Sequence, residues 1–147
     1  MKNRPAFKRV KIFLCDVDGV LTDAGVLIGN GGEFKRFNIQ DGMGLRLLQK
    51  CGVPVGWVSN RASTATTKRA RELKVDYLWQ KSAPKVDAVA AILKKARLDW
   101  ADACFVSDDV NDTGGVLFSS YDPSLKVKCA AHHCHCSARH HRVAGHL

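Results

Sequence analysis

Acidic or hydroxyl side chains follow three of the four short apolar runs in the chain. Asp16 and Asp18 come directly after the run at 10–15, and Ser59 follows the run at 53–58. The run at 103–106 is followed by three acids, Asp108, Asp109 and Asp112. Carboxylates gathered in one place repel each other unless a cation binds between them, and a few hard oxygen ligands favour Mg²⁺. These residues therefore predict a Mg²⁺ site.

Lys85 and Ser59 would complete a site for phosphoryl transfer. That reaction needs a nucleophile, a proton donor for the leaving oxygen, and cations and hydrogen-bond donors around the spreading charge. The Lys85 ammonium group would offset the charge of a nucleophile and a phosphate, and the Ser59 hydroxyl would hydrogen-bond a phosphate oxygen. Taken singly, an aspartate after a strand is usually a turn former and a lysine near a helix start is usually solvated. Their joint occurrence in this order favours the catalytic interpretation.

The apolar runs are predicted strands, because each is short, rich in strand formers and bounded by turn residues. Helical patterns lie between them, and the glycines of 29–32 favour a turn inside a hairpin of about residues 25–38. The predicted strands are 10–15, 53–58, 75–79 and 103–106, and the predicted helices are 41–51, 63–73 and 84–97. This alternation predicts an α/β fold, a Rossmann-like parallel sheet with helices on both faces and ligands beyond the carboxyl ends of the strands.

The acidic motifs resemble those of the haloacid dehalogenase superfamily of phosphatases. Its four motifs are matched in order by Asp16-Val-Asp18-Gly19-Val20, Ser59, Lys85 and Asp108-Asp109-Val-Asn-Asp112. The resemblance implies that Asp16 attacks phosphorus to form an aspartyl phosphate, and that Asp18 acts as general acid and then as base. It also implies Mg²⁺ as the cofactor, held by the carboxylates of Asp16 and Asp108 and by the backbone carbonyl of Asp18.

A closer resemblance is to the 3-deoxy-D-manno-octulosonate 8-phosphate phosphatase family, whose members are small and lack a cap domain. Residues from about 9 to 113 fit its pattern without a large gap. The match is carried by Leu21-Thr22-Asp23-Ala24-Gly25, by Phe37-Asn38-Ile39-Gln40-Asp41-Gly42-Met43-Gly44, and by Ser59-Asn60-Arg61 with Arg69, Glu72 and Leu73. The resemblance implies a sugar-acid phosphomonoester as the substrate.

Several further residues have predicted roles beside these motifs. The predicted substrate contacts are Ser59, Asn60, Arg61 and Lys85. Asp41 has two interpretations of equal weight, a substrate contact or the N-cap of the first helix. Asp109 and Asp112 are expected to hold Lys85 and the metal ligands in place.

Spacing independently predicts that no cap domain is inserted. Between Asp18 and Ser59 there is room only for the hairpin and one helix, and between Lys85 and Asp108 only for a helix and a strand. The site is therefore expected to be open to solvent unless another chain covers it.

The hairpin carries apolar residues with no evident use in the core of the same chain. They are Val26, Ile28, Phe34 and Phe37, which are too apolar for an isolated ribbon in water. Relatives in the resembled family form tetramers in which such hairpins pack together and a neighbour covers each site. A homotetramer is therefore expected.

Bulk composition fits a single domain over residues 1–147. A hydrophobic content of 46% is enough for one core, and no apolar stretch approaches a membrane span or a secretion signal, which favours a cytoplasmic protein. The formal charge of +9 would suit a nucleic-acid binder, but the basic residues are dispersed and lack aromatic partners. An anionic small substrate explains the charge without nucleic acid. Apolar flanks predict buried thiols at Cys15, Cys51 and Cys104.

The C-terminal segment 126–147 departs from the family pattern. It holds four Lys or Arg, no acid, all six histidines and three cysteines. Zinc binding there is the weaker interpretation, because the crowded spacing matches no usual finger. A disordered or translationally altered segment is the favoured one.

Three alternatives to the phosphatase for this sugar acid stay open. The first is a phosphatase for a related nonulosonate or another small phosphoester. The second is a catalytically impaired relative that serves as a binding or scaffold module, because the C-terminal segment has lost the family pattern. A basic nucleic-acid binder is the least favoured.

Overall fold

A computed structural model of the chain describes residues 9–108, and its helices and strands follow the predicted order. The strands are β1 (Ile12–Cys15), β2 (Leu27–Gly29), β3 (Gly32–Phe34), β4 (Val55–Ser59), β5 (Tyr77–Gln80) and β6 (Ala103–Val106). The helices are α1 (Ile39–Lys50), α2 (Thr64–Glu72) and α3 (Lys85–Ala96). Within residues 9–108, no helix combines the length and apolar character that a membrane crossing requires.

Four parallel strands form the main sheet in the order β5-β4-β1-β6. Phe13 of β1 lies opposite Val55 of β4 on one side and Cys104 of β6 on the other. The chain runs from β1 outward through β4 and β5, then crosses back to place β6 on the other side of β1. This reversal creates a switch point between β1 and β6, and ligands of such sheets bind beyond the carboxyl ends of the strands at that point.

The helices cover both faces of the sheet, as the alternation of elements predicts. Because successive strand residues point to opposite faces, Leu14 and Val58 pack against α3 while Cys15 and Trp57 pack against α1 and α2. Two apolar layers result, one on each side of the sheet. They hold β1 and β4 rigidly, so the residues at the ends of these strands have fixed positions.

Strands β2 and β3 pair antiparallel as a hairpin, with Leu27 opposite Phe34. The ladder is shorter than the range 25–38, and a single bridge between Thr22 and Phe37 closes its base. Phe37 stacks on Trp57 with the ring centroids 6.1 Å apart, so this side chain belongs to the core of its own chain. The expectation that Phe37 has no use in that core is wrong.

Two further expectations are corrected at the ends of α1. The N-cap is Asn38, whose side chain accepts a hydrogen bond from the backbone N–H of Gln40, so the N-cap interpretation of Asp41 is wrong.

Cys51 is exposed, although its apolar flanks predicted burial. It lies at the C-cap, where Gly52 with φ of +81° turns the chain away from the helix. Cys15 is fully buried as predicted, and burial raises the pKa of its thiol far above the usual range.

Candidate active site

Asp16 and Lys85 form a buried ion pair at the carboxyl end of the central strand β1. The Asp16 backbone N–H donates to the carbonyl of Val106 over 2.9 Å, which holds the residue between β1 and β6. Lys85 is the first residue of α3, and its Nζ lies 2.5 Å from Asp16 Oδ2. The other carboxylate oxygen, Oδ1, accepts from the Val17 N–H over 2.6 Å. A buried lysine is uncommon without a charged partner, so the pair fixes both side chains.

A second lysine, Lys35, pairs with Asp18 and lies outside the predicted site residues. Its Nζ lies 2.6 Å from Asp18 Oδ1 and its side chain is 0% exposed. A signal for it does exist in the sequence, because the alternation Glu33-Phe34-Lys35 places Glu33 and Lys35 on the hairpin face opposite Phe34. Asp16 and Asp18 thus each have a lysine partner, which weakens the argument that mutual repulsion alone demands a metal ion.

Ser59 ends β4 and organises the loop that carries Asn60 and Arg61. Its hydroxyl donates to the Arg61 carbonyl and accepts from the Arg61 N–H, both over 3.1 Å. The Arg61 guanidinium reaches back to the hairpin and pairs with Glu33 over 2.5 Å. A side-chain hydrogen bond with Ser63 lowers the pKa of Glu33, and Arg61 lowers it further. Asn60 is exposed, so the loop presents polar groups at the same sheet edge as Asp16.

Asp108 follows β6 by two residues and returns to the loop after β1. Its carboxylate lies against Gly19, which has φ of +87° and no side chain to obstruct the approach. The first and fourth motifs are therefore adjacent, as the parallel sheet predicts. Asp109, Asp112 and the segment 126–147 lie outside the described residues.

The residues present fit a Mg²⁺ ion. Asp16 and Asp108 flank the switch point and would supply hard carboxylate oxygens, and the predicted third ligand is the backbone carbonyl of Asp18. Within residues 9–108 there is no group of three His, Cys, Asp or Glu side chains that could hold a metal. The predicted set uses two acidic side chains and one backbone carbonyl, so this observation does not test it.

Asp41 lies apart from this group, in the first turn of α1. It lines a cavity of about 10 Å³, room for about one water molecule, together with Phe37, Trp57 and Arg69. The lining contains none of Asp16, Asp18, Ser59 or Lys85. The structure thus brings together the predicted residues at the strand ends but places Asp41 between α1 and α2.

Known proteins resemble the chain in sequence and in structure. The 3-deoxy-D-manno-octulosonate 8-phosphate phosphatase KdsC of Yersinia pestis is 31% identical over 104 residues, which are 70% of this chain and 56% of that protein. The phosphatase of the same name from Moraxella catarrhalis, solved with magnesium, phosphate and KDO, superposes with a TM-score of 0.75. It is 30% identical, and the match covers 79% of this chain and 67% of that one.

A further solved structure, named as a HAD superfamily (subfamily III A) hydrolase from Legionella pneumophila, has a TM-score of 0.74 at 30% identity. The match covers 78% of this chain and 63% of that one. No protein-family model matches the sequence. The chain spans just over half the length of the curated relatives it matches. Shared sequence, shared fold and the ordered motifs at the strand ends show that the chain belongs to the haloacid dehalogenase superfamily, within the family of the 3-deoxy-D-manno-octulosonate 8-phosphate phosphatases.

Proposed function

We propose that the chain is a Mg²⁺-dependent phosphomonoester hydrolase that acts on 3-deoxy-D-manno-octulosonate 8-phosphate. One observation carries the proposal: the carboxylate of Asp16 is buried against the ammonium group of Lys85 at the carboxyl end of the central strand. The lysine neutralises charge where an anionic nucleophile must approach an anionic phosphate. Backbone and side-chain hydrogen bonds hold the carboxylate in one orientation, which favours in-line attack.

The proposed reaction has two steps. An Asp16 carboxylate oxygen forms a bond to phosphorus while the ester P–O bond breaks, and the leaving oxygen takes a proton from Asp18. Asp18 then removes a proton from water, whose oxygen attacks phosphorus, releases inorganic phosphate and restores the Asp16 carboxylate. The Ser59 hydroxyl and Lys85 bind the phosphoryl oxygens during both steps. When bound, Mg²⁺ supplies positive charge that stabilises the transferring phosphoryl group.

The substrate is proposed from the relatives. Curated relatives from Yersinia pestis and Escherichia coli are named as phosphatases for this sugar-acid phosphate, and the Moraxella catarrhalis structure holds KDO together with phosphate and magnesium. We expect Arg61, which follows β4 at the same edge of the sheet as Asp16, to bind the substrate as a cation. Its present partner Glu33 would have to release it for that contact.

The test is phosphate release from a panel of sugar phosphates, nonulosonate phosphates and an aryl phosphate, with Mg²⁺ and with chelator. We expect release that requires Mg²⁺ and is fastest with 3-deoxy-D-manno-octulosonate 8-phosphate. Asp102→Asn serves as a control for the aspartate variants of the site and should keep wild-type activity, because Asp102 pairs with Lys11 away from the site. Absence of release from every ester would refute the proposal and favour the binding-module alternative. Release that chelator does not affect would refute the proposed Mg²⁺ dependence.

A further inference from the structure

Lys35 lies at the junction of three elements and is buried among oxygen atoms. It follows β3, its side chain is 0% exposed, and its Nζ is 2.6 Å from Asp18 Oδ1. Thr66 Oγ1 lies 3.5 Å from the same nitrogen and Glu33 Oε1 lies 3.6 Å away. Lysine is almost never fully buried unless it is paired, and here the three oxygens surround the ammonium group. The side chain is therefore held in one place.

The partners of Lys35 come from separate parts of the fold. Asp18 belongs to the loop after β1, Thr66 is a fully buried residue of α2, and Glu33 belongs to the hairpin itself. Glu33 in turn pairs with Arg61 over 2.5 Å. The hairpin thus reaches the site of its own chain through two charged side chains, while Phe34 between them is exposed on the opposite face.

We propose that Lys35 is a positioning residue for Asp18, an inference that rests on the proposed phosphatase function. With Oδ1 held by the lysine, Oδ2 is the oxygen that transfers the proton to and from the reacting groups. The Asp18 side chain is 30% exposed, so without this contact its carboxylate would sample several rotamers. A displacement of about 1 Å at a reacting group can reduce the rate roughly 10²-fold, which makes such a hold catalytically important.

The kinetic test separates positioning from a purely structural ion pair. Lys35→Met removes the charge and keeps a side chain of similar length, and Lys35→Arg keeps the charge. We expect Lys35→Met to lower kcat for the sugar-acid phosphate roughly 10²-fold with little change in KM, and to affect an aryl phosphate much less, because its leaving group needs little protonation. Lys35→Arg should restore part of the loss.

The matched control is Lys11→Met, which breaks the surface pair with Asp102 (2.9 Å) and should leave both activities unchanged. Lys35→Gln replaces Lys35→Met if circular dichroism shows that the methionine variant does not fold. Equal losses on the sugar-acid phosphate and the aryl phosphate would overturn the proposal, because a general loss of structure does not depend on the leaving group. Full activity of folded Lys35→Met or Lys35→Gln, which lack the positive charge, would also overturn the proposal.

A measurement that needs no activity keeps this inference distinct from the proposed function. Urea unfolding of Lys35→Met, Asp18→Asn and the double variant forms a double-mutant cycle. We expect the midpoint shift of the double variant to be smaller than the sum of the single shifts. Additive shifts would overturn the contact, whatever the activity. Non-additive shifts in a protein that releases no phosphate would confirm the ion pair, refute the phosphatase function and overturn the positioning role of Lys35.

Discussion

The carboxylate of Asp108 packs directly against Gly19, so that a Cβ atom on Gly19 would overlap Asp108 Oδ2. Gly19 also has φ of +87°, a conformation that residues with a side chain rarely adopt. Two separate requirements, space and backbone conformation, therefore coincide at one glycine. It allows the acid after β6 to meet the acids after β1.

Gly19→Ala should displace Asp108 and weaken metal binding. We expect a lower kcat, a higher Mg²⁺ concentration for half-maximal activity, and a destabilisation of about 1 kcal/mol or more from the strained backbone. Gly44→Ala is the matched control, since Gly44 lies in α1 with nothing within 4 Å of an added Cβ atom, and it should be neutral or slightly stabilising. An unchanged Mg²⁺ dependence in Gly19→Ala would contradict the placement of Asp108 as a ligand.

Asp16→Asn should lower phosphate release by several orders of magnitude, because the amide is a poor nucleophile and a poorer metal ligand. The variant should fold, but with a loss on the order of 3 kcal/mol in the free energy of unfolding, since the buried Lys85 loses its anionic partner. Adding Lys85→Met should recover part of that stability and none of the activity. Urea unfolding and a phosphate-release assay check both effects; near-normal Mg²⁺-dependent turnover by Asp16→Asn would exclude this nucleophile.

Asp18→Asn should produce a loss that depends on the leaving group. A sugar alkoxide needs a proton as it departs, whereas an aryl oxide hardly does, so the loss in kcat should be larger for the sugar-acid phosphate by roughly 10²-fold. Steady-state kinetics on the two substrates measures this ratio. If the kcat for the sugar-acid phosphate divided by the kcat for the aryl phosphate is the same in Asp18→Asn as in the wild-type chain, Asp18 does not act as the acid.

Glu33 should make stability sensitive to acid. Its pKa is lowered in the folded chain by a side-chain hydrogen bond with Ser63 and by Arg61, so folding favours the ionised form. The resulting stabilisation is fully present above the unfolded pKa, near 4.5, and is lost as the pH falls through the lower folded value. Between about pH 6 and pH 3 the wild-type chain should therefore lose more stability than Glu33→Gln, and urea unfolding across this range tests it. If the free energy of unfolding falls equally with pH in the wild-type chain and in Glu33→Gln, Glu33 contributes nothing to the pH dependence.

The hairpin exposes apolar residues that the predicted homotetramer would bury. Leu27 and Phe34 lie on one face of the hairpin and are 74% and 57% exposed in the isolated chain, while Ile28, on the other face, is 82% exposed. Replacing Ile28 and Phe34 with charged residues should release smaller species and raise KM or lower kcat. Analytical ultracentrifugation measures the species, with Leu78→Gln on β5 as a control outside the hairpin. A fully active wild-type monomer at assay concentrations would refute the assembly.

The sequence by itself determined the order of the elements and the group of residues at the strand ends. Short apolar runs, turn residues and caps are local signals, and β6 has the predicted bounds of Ala103–Val106. Parallel strands have their carboxyl ends at one edge, so the position of Asp16, Ser59 and Asp108 at a common edge of the sheet followed from topology alone. The position of Lys85 beside Asp16 followed from its place at the start of α3.

Only the tertiary structure decided which side chains face one another. Lys35 pairs with Asp18 across 17 positions, and Phe37 stacks on Trp57, because the hairpin folds back on the loop and on α2. Asn38 rather than Asp41 caps α1, and Cys51 is exposed despite apolar neighbours. The physical reason is that periodicity records how apolar a segment is but not what it packs against. Ion pairs, stacking and burial depend on distances between segments, which are set only when the layers pack together.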